Sequence, residues 1–190
     1  VIHDQLCGLG FSISPLSFYQ VNAAQAQRLY EKAAEYAALT GEETLLDLYC
    51  GTGTIGLSMA RQAKGLVGVE VVPQAVADAR ENARRNGITN ARFLCADAAQ
   101  AARQLEREGV RPQVVVLDPP RKGCSRELVE TVAAMAPQRI VYVSCDPATL
   151  ARDLRLFASL GYPPQKAAPV DMFPATAHVE TVCFLSQQNR

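Results

Sequence analysis

The sequence has no secretory leader pattern, no apolar run long enough to cross a bilayer, no C-x-x-C pair, no internal repeat and no net charge. Each absence excludes something. Without a leader or a stretch of about 20 apolar residues, neither secretion nor membrane insertion is indicated, and a cytoplasmic location is expected. Cys7, Cys50, Cys95, Cys124, Cys145 and Cys183 are scattered. Lacking close-spaced pairs, they read as reduced thiols, and no metal site is expected. With 19 basic against 19 acidic residues, no global basic field draws in a polyanion, so a local patch or another domain would have to supply phosphate affinity. What remains is a chain of 190 residues that is 48% hydrophobic, enough for one domain with a proper core. It begins at Val1 rather than Met and reads as a fragment, with an entry segment and helix over 1–40 leading into a domain over 41–190.

The chain is organised around Thr44-Leu-Leu-Asp-Leu-Tyr-Cys-Gly-Thr-Gly-Thr-Ile-Gly56. The apolar run from Leu45 to Tyr49 reads as a buried strand, Gly51-Thr-Gly53 as a turn, and a helical pattern opens at Thr54. Together they make a nucleotide-sized pocket: glycines admit a ligand close to the backbone, and the helix start offers unpaired N–H groups. Gly51, Gly53 and Gly56 also satisfy G-x-G-x-x-G. That pattern suits NAD as well as S-adenosylmethionine, and a ligand-free strand-to-helix turn also produces it.

Upstream, 10–15 reads as an edge strand or entry loop, and Asn22 as the N-cap of an alanine-rich helix over 23–39 that Gly41 stops. Downstream, strands at 66–70, 91–96, 113–118 and 139–144 alternate with helices at 74–86, 98–108, 126–135 and 147–160. Two extended segments, 165–171 and 179–185, follow with no helix between them. The alternation predicts a mostly parallel sheet with helical crossovers, closed by a hairpin. Right-handed crossovers then gather the loops after the strands at one edge, where ligands bind.

Tyr49, Glu70, Asp97, Asp118 and Cys145 are expected at that edge. Glu70, nineteen residues beyond Gly51, can accept both ribose hydroxyls of a nucleotide cofactor. Asp97 can accept from an adenine amino group or simply cap the next helix. Tyr49 can pack against the methionine end of S-adenosylmethionine or belong to the core. In Asp118-Pro-Pro-Arg-Lys-Gly123 two prolines fix the backbone behind an acid, while Arg121 and Lys122 are either phosphate contacts or solvated charge. Cys145 stands between a strand and a helix with Pro147 at its first turn, a position expected to lower the thiol pKa and make it a nucleophile. Cys50 and Cys124 are rival thiols. Glu180 enters an apolar strand, where its pKa is expected to rise so that it can serve as a base. His178, two residues away, reads as an ordinary polar residue.

Phe18-Tyr-Gln-Val-Asn22, Asp47-Leu-Tyr-Cys-Gly-Thr-Gly53, Asp118-Pro-Pro-Arg-Lys-Gly123, Ser144-Cys-Asp-Pro147 and His178-Val-Glu180 together resemble the catalytic domain of the RNA 5-methyluridine (uracil-C5) methyltransferases, over nearly the whole chain. The resemblance implies a Rossmann-like α/β fold of the S-adenosylmethionine-dependent methyltransferases, over 41–190, with a mostly parallel seven-stranded sheet and a C-terminal antiparallel hairpin. It implies that Cys145 adds to C6 of a uridine in ribosomal or transfer RNA, that C5 takes the methyl group, leaving S-adenosylhomocysteine, and that Glu180 removes the C5 proton. Gln20, Tyr49, Glu70 and Asp118 match family positions that bind the cofactor or hold the reacting groups; Asp97 is a weaker match. Gly51 and Gly53 join them from the turn itself. The expected partner is RNA, with no membrane, no obligate protein partner, no metal and no iron–sulfur cluster in this chain. Family members carry an N-terminal OB-type RNA-binding domain, and many a four-cysteine cluster motif; neither is found here. The family often has Asn after the cysteine, where this chain has Asp146.

Three rivals stay open at this level. An amino-group methyltransferase also uses acid-Pro-Pro, but with an aromatic residue where Arg121 stands. An NAD-dependent dehydrogenase would use the same glycines but continue with further crossovers. A binding module that has lost activity would keep the motifs.

Overall fold

A computed structural model of the chain describes residues 2–15, 17–176 and 179–188. The first two strands, β1 (Ile2–Leu6) and β2 (Leu9–Ile13), form an antiparallel hairpin. Its two-residue turn has positive φ at both Cys7 and Gly8, which matches the right-handed twist of paired strands. The expected edge strand at 10–15 is therefore the second half of a hairpin. Its partner β1 was not legible because only Leu6 of it is buried.

Helix α1 (Ala23–Ala37) is capped by Asn22, whose side chain accepts from the Gln25 N–H. Ala38 in the left-handed conformation closes it, three residues before Gly41. The remaining elements alternate: β3 (Thr44–Leu48), α2 (Thr54–Met59) with a 3₁₀ turn at Ala60–Gln62, β4 (Gly65–Glu70), α3 (Pro73–Arg85), β5 (Ala91–Cys95), α4 (Ala98–Arg107), β6 (Val114–Leu117), α5 (Arg126–Ala134), β7 (Arg139–Ser144) and α6 (Pro147–Ser159). β8 (Pro164–Val170) and β9 (Glu180–Ser186) close the chain.

Seven strands make one sheet in the order β5-β4-β3-β6-β7-β9-β8, with β9 antiparallel to both neighbours. This is the predicted sheet and terminal hairpin. The central strands are buried on both faces because helices cover both. Leu45, Val114, Val116, Val141 and Val143 face the layer containing α1, α2, α3 and β2. Leu46, Leu48, Val115, Leu117 and Tyr142 face α4, α5 and α6. Among the described residues no helix is long and apolar enough to cross a membrane.

The direction in which strands are added reverses between the parallel neighbours β3 and β6: the units after β3 build outward to β5, and those after β6 build the other way. A crevice forms at such a switch point, outside the carboxyl ends of the strands.

The hairpin β1–β2 sits on α3 through a side-chain ladder. Asp78, Asn82 and Asn86, four residues apart on one helix face, accept the N–H groups of Ser14, Ser12 and Gly10 at 2.9, 2.7 and 2.9 Å. The spacing works because four helical residues rise about 6 Å and two strand residues about 6.7 Å.

Candidate active site

The glycine turn is built by its strand and by two buried contacts. Asp47, 1% exposed in the middle of β3, accepts the Gly56 N–H at 2.9 Å and so pins the start of α2 to the strand. A Cβ at Gly56 would lie 2.6 Å from that same oxygen, so only glycine fits. Gly53 has φ of 85° and its N–H bonds the Cys50 carbonyl at 2.8 Å, closing the turn. Tyr49, just past β3, also has positive φ, at 66°, which is uncommon for a bulky residue and marks a site where the fold imposes the conformation. Burial first, then the neighbouring Cys124 thiol, raises its pKa.

Four of the five predicted edge residues lie at the end of a strand or one residue past it. Glu70 is the last residue of β4. One of its oxygens accepts the Val71 and Val72 N–H groups at 2.8 and 2.9 Å, and the other accepts from Gly51 at 3.1 Å. Asp118 follows β6 directly beside Tyr49, with its N–H on the Leu48 carbonyl at 3.4 Å. Burial, then Glu180 and Asp47, hold its carboxyl well above the usual carboxylate range. Cys145 follows β7. Asp97 lies two residues past β5, where Oδ1 accepts from Ala99 and Gln100 and caps α4. Of its two predicted roles, the cap is the one seen.

The thiol and the acid are brought together by register. β7 and β9 pair through Ser144 and Thr181; the next residues along, Cys145 and Glu180, therefore stand opposite one another across the antiparallel pair. Glu180 is 6% exposed and its pKa is raised by burial, as predicted, while Arg121 pulls it back down. Cys145 is half-buried. Its pKa is raised, not lowered: burial acts first, then the charges of Glu180 and Asp118, against weaker lowering by its own backbone and Arg121. The sequence-based expectation of a lowered thiol pKa is thus corrected. It weighed only the helix terminus, whereas the fold adds burial and two carboxylates. Asp146 is not among the causes, because Oδ1 caps α6 with bonds of 2.9 Å from Ala148 and Thr149. The rival thiols are more deeply buried, Cys50 and Cys124 at 6% each, with Cys124 pushed up to about 12.

Gln20 is buried. Its segment is held at both ends, by Ser17 Oγ on Asp78 at 2.7 Å and by Asn22 Nδ2 on the Met172 carbonyl at 3.1 Å. His178 lies outside the described residues. Helix α6 grips the loop after the two prolines: Thr149 Oγ1 donates to the Arg121 carbonyl at 2.9 Å, and Asp153 accepts from the Cys124 N–H at 2.8 Å.

Two groups were missed at the sequence level. Asp47 Oδ1 and Thr52 Oγ1, at the turn, are buried without a hydrogen-bond partner. The signal was present for Asp47, a lone acid inside an apolar strand. These orphaned polar atoms, together with open space beside Gly51 where a Cβ would meet nothing within 4 Å, fit a polar cofactor lying on the turn. Val71 and Val72, 61% and 39% exposed, form an apolar rim after Glu70. Among the described residues no group of three or more His, Cys, Asp or Glu could hold a metal ion.

The family model described as tRNA (uracil-5-)-methyltransferase matches residues 9–188. An uncharacterized RNA methyltransferase of Halalkalibacterium halodurans is 51% identical over 99% of this chain and 41% of its own length. One from Clostridium tetani is 50% identical over 97% of this chain and 40% of its own. The chain thus spans about two fifths of the curated relatives it matches. Among solved structures, the tRNA (uracil-54, C5)-methyltransferase of Pyrococcus abyssi, in complex with S-adenosyl-L-homocysteine, superposes with a TM-score of 0.84 at 35% identity, covering 97% of this chain and 44% of that one. A SAM-dependent methyltransferase of Agrobacterium tumefaciens gives 0.76 at 16% identity, covering 98% and 70%, which shows the shared fold.

Proposed function

The chain belongs to the tRNA (uracil-5-)-methyltransferase family, and on that premise we propose that it is the catalytic part of an enzyme that methylates C5 of a uridine in ribosomal or transfer RNA, using S-adenosylmethionine. The observation that carries this reading is the position of Cys145 opposite Glu180, one residue beyond the Ser144–Thr181 pair that ends the β7–β9 ladder, on the same edge as the glycine turn. From β3 to β9 is three inter-strand steps, about 14 Å, room for a nucleoside cofactor and a flipped pyrimidine.

S-adenosylmethionine, when bound, supplies an electrophilic methyl group for C5. Gly51 and Gly53 would let it lie against the backbone, Glu70 would accept its ribose hydroxyls, and Tyr49, Asp97 and Gln20 would line the site. The Cys145 thiolate forms a bond to C6 of uracil, and the C5–C6 electron pair moves toward C5 and O4. Asp118, whose proton affinity is raised by burial and by Glu180, would donate to the base. After C5 has been methylated, Glu180 takes the C5 proton; the electron pair of that C–H bond rebuilds C5=C6 and expels the thiolate. Burial supports Glu180 as a base by raising its proton affinity. We read residues 41–190 as the methyltransferase unit, 1–40 as its N-terminal extension, and the protein as cytoplasmic, consistent with six free thiols.

The test is covalent trapping. An RNA carrying 5-fluorouridine, with S-adenosylmethionine and the full-length protein, is expected to give an adduct stable to denaturing electrophoresis. The adduct disappears in Cys145→Ala and persists in Cys124→Ala. With ordinary uridine, Glu180→Gln accumulates methylated adduct. Normal methylation by Cys145→Ala would sink the mechanism.

A further inference from the structure

The ladder that seats the hairpin has one rung that continues. Asn82 is fully buried in α3, where an apolar residue would be expected from its face. Its Oδ1 accepts the Ser12 N–H at 2.7 Å, and its Nδ2 donates to the Thr52 carbonyl at 3.1 Å. The amide orientation follows from the partners, since a backbone N–H can meet only Oδ1 and a carbonyl only Nδ2. One side chain thus joins β2 to the middle residue of the glycine turn.

The other rungs do not reach that far. Asn86 holds Gly10 from both sides, accepting at 2.9 Å and donating at 2.8 Å, and Asp78 holds Ser14 and Ser17. Ser12 is free to serve Asn82 because β2 exchanges hydrogen bonds with β1 at Leu9, Phe11 and Ile13, leaving alternate N–H groups facing α3. The turn is also close to α3 beside the amide: a Cβ at Gly53 would lie 3.3 Å from the Ala79 Cβ. Thr52 itself is 1% exposed with its hydroxyl unpartnered; its peptide to Gly53 is held through the N–H by the Cys50 carbonyl and through the carbonyl by Asn82.

We propose that Asn82 is a positioning residue of the cofactor turn, and that through it the docking of the N-terminal hairpin and occupation of the turn favour one another. The inference rests on the reading of the turn as the cofactor site. A loose hairpin would free Asn82 to rotate and let the Thr52 peptide turn; an ordered turn would in return hold Ser12. Such coupling is reciprocal by thermodynamic necessity. The hairpin would thus report to the methyl-donor site whether the N-terminal side of the molecule is seated.

The test compares Asn82→Asp with Asn86→Ala. The aspartate keeps the acceptor for Ser12 but faces the Thr52 carbonyl with an oxygen instead of a donor. Titration with S-adenosylhomocysteine in a calorimeter is expected to show Asn82→Asp weakened about tenfold or more, the scale of one buried hydrogen bond turned unfavourable. Asn86→Ala removes two bonds at Gly10 but leaves both Asn82 bonds, to Ser12 and Thr52, in place, and is expected to stay within about twofold of the unmodified protein. Equal affinities for the two variants would overturn the proposal.

Hydrogen exchange on the unmodified protein gives a second answer, independent of how the variants fold. Ligand is expected to slow the Ser12 amide more than the Gly10 amide, and equal slowing counts against the link. If the unmodified protein binds no S-adenosylhomocysteine, the cofactor reading fails instead. The ligand-free proteins then decide the link: Gly53 amide exchange faster in Asn82→Asp than in Asn86→Ala supports it, and equal rates reject it.

Discussion

At the scale of single residues, charge and burial set the chemistry. Burial raises the proton affinity of Cys145, Asp118 and Glu180; Glu180 adds to it at Asp118 and, with Asp118, at Cys145, and Arg121 is the cation that opposes it at the thiol and at Glu180. In the proposed mechanism Cys145 and Glu180 must each lose a proton to act, so kcat/KM is expected to climb as pH rises through neutrality. Arg121→Gln removes the lowering influence, and the rising limb should move to higher pH. An unchanged profile with a higher KM for RNA would instead make Arg121 a phosphate contact. Asp47 gives a stability effect of definite sign. Burial, offset in part by the Gly56 N–H, lifts its carboxyl from 3.8 to about 7. The folded protein keeps a proton that the unfolded chain has released, so this contribution is full below about pH 4 and is lost as pH rises toward 7, by up to roughly 4 kcal/mol. Asp47→Asn lacks that loss. Its melting temperature relative to the parent is expected to improve between pH 5 and pH 8, and a constant difference would refute the assignment. Asp47 was visible in the sequence as an acid among leucines, but its orphaned oxygen was not, because that depends on what packs around it.

At the scale of elements, the helix starts were legible because their signals are local. Asn22 and Asp97 each cap the helix expected of them, and Asp146 caps α6. The glycine turn was equally legible, while the reason for its third glycine was not: Gly56 is fixed by the Asp47 carboxylate and by Leu66 Cδ1, 3.0 Å from where a Cβ would stand. Gly56→Ala is therefore expected to lower stability by about 1–3 kcal/mol through overpacking and to weaken S-adenosylhomocysteine binding, measured by chemical denaturation and titration together. Full affinity in a destabilised variant would separate the turn from the site. The hairpin escaped detection because its first strand is mostly exposed and its seat on α3 is made by Asp78, Asn82 and Asn86, residues that in sequence read as an ordinary polar helix.

At the scale of the whole molecule, a chain of no net charge has little long-range pull on RNA. By itself it is expected to bind RNA no better than a non-specific protein, with Kd of about 10⁻⁴–10⁻⁶ M at physiological salt. S-adenosylhomocysteine at 100 times its Kd should raise stability by about 2.7 kcal/mol, read as a rise of several degrees in Tm; no shift would remove the cofactor from the account. The sequence by itself determined the order of strands and helices from α1 onward, the parallel sheet with its closing hairpin, and the motifs at the strand ends, because periodicity, caps and glycines act over a few residues. Only the tertiary structure decided that Cys145 faces Glu180, that the thiol pKa goes up, and that Asn82 joins hairpin to turn. Those depend on strand register and on burial, which arise between segments far apart in the chain.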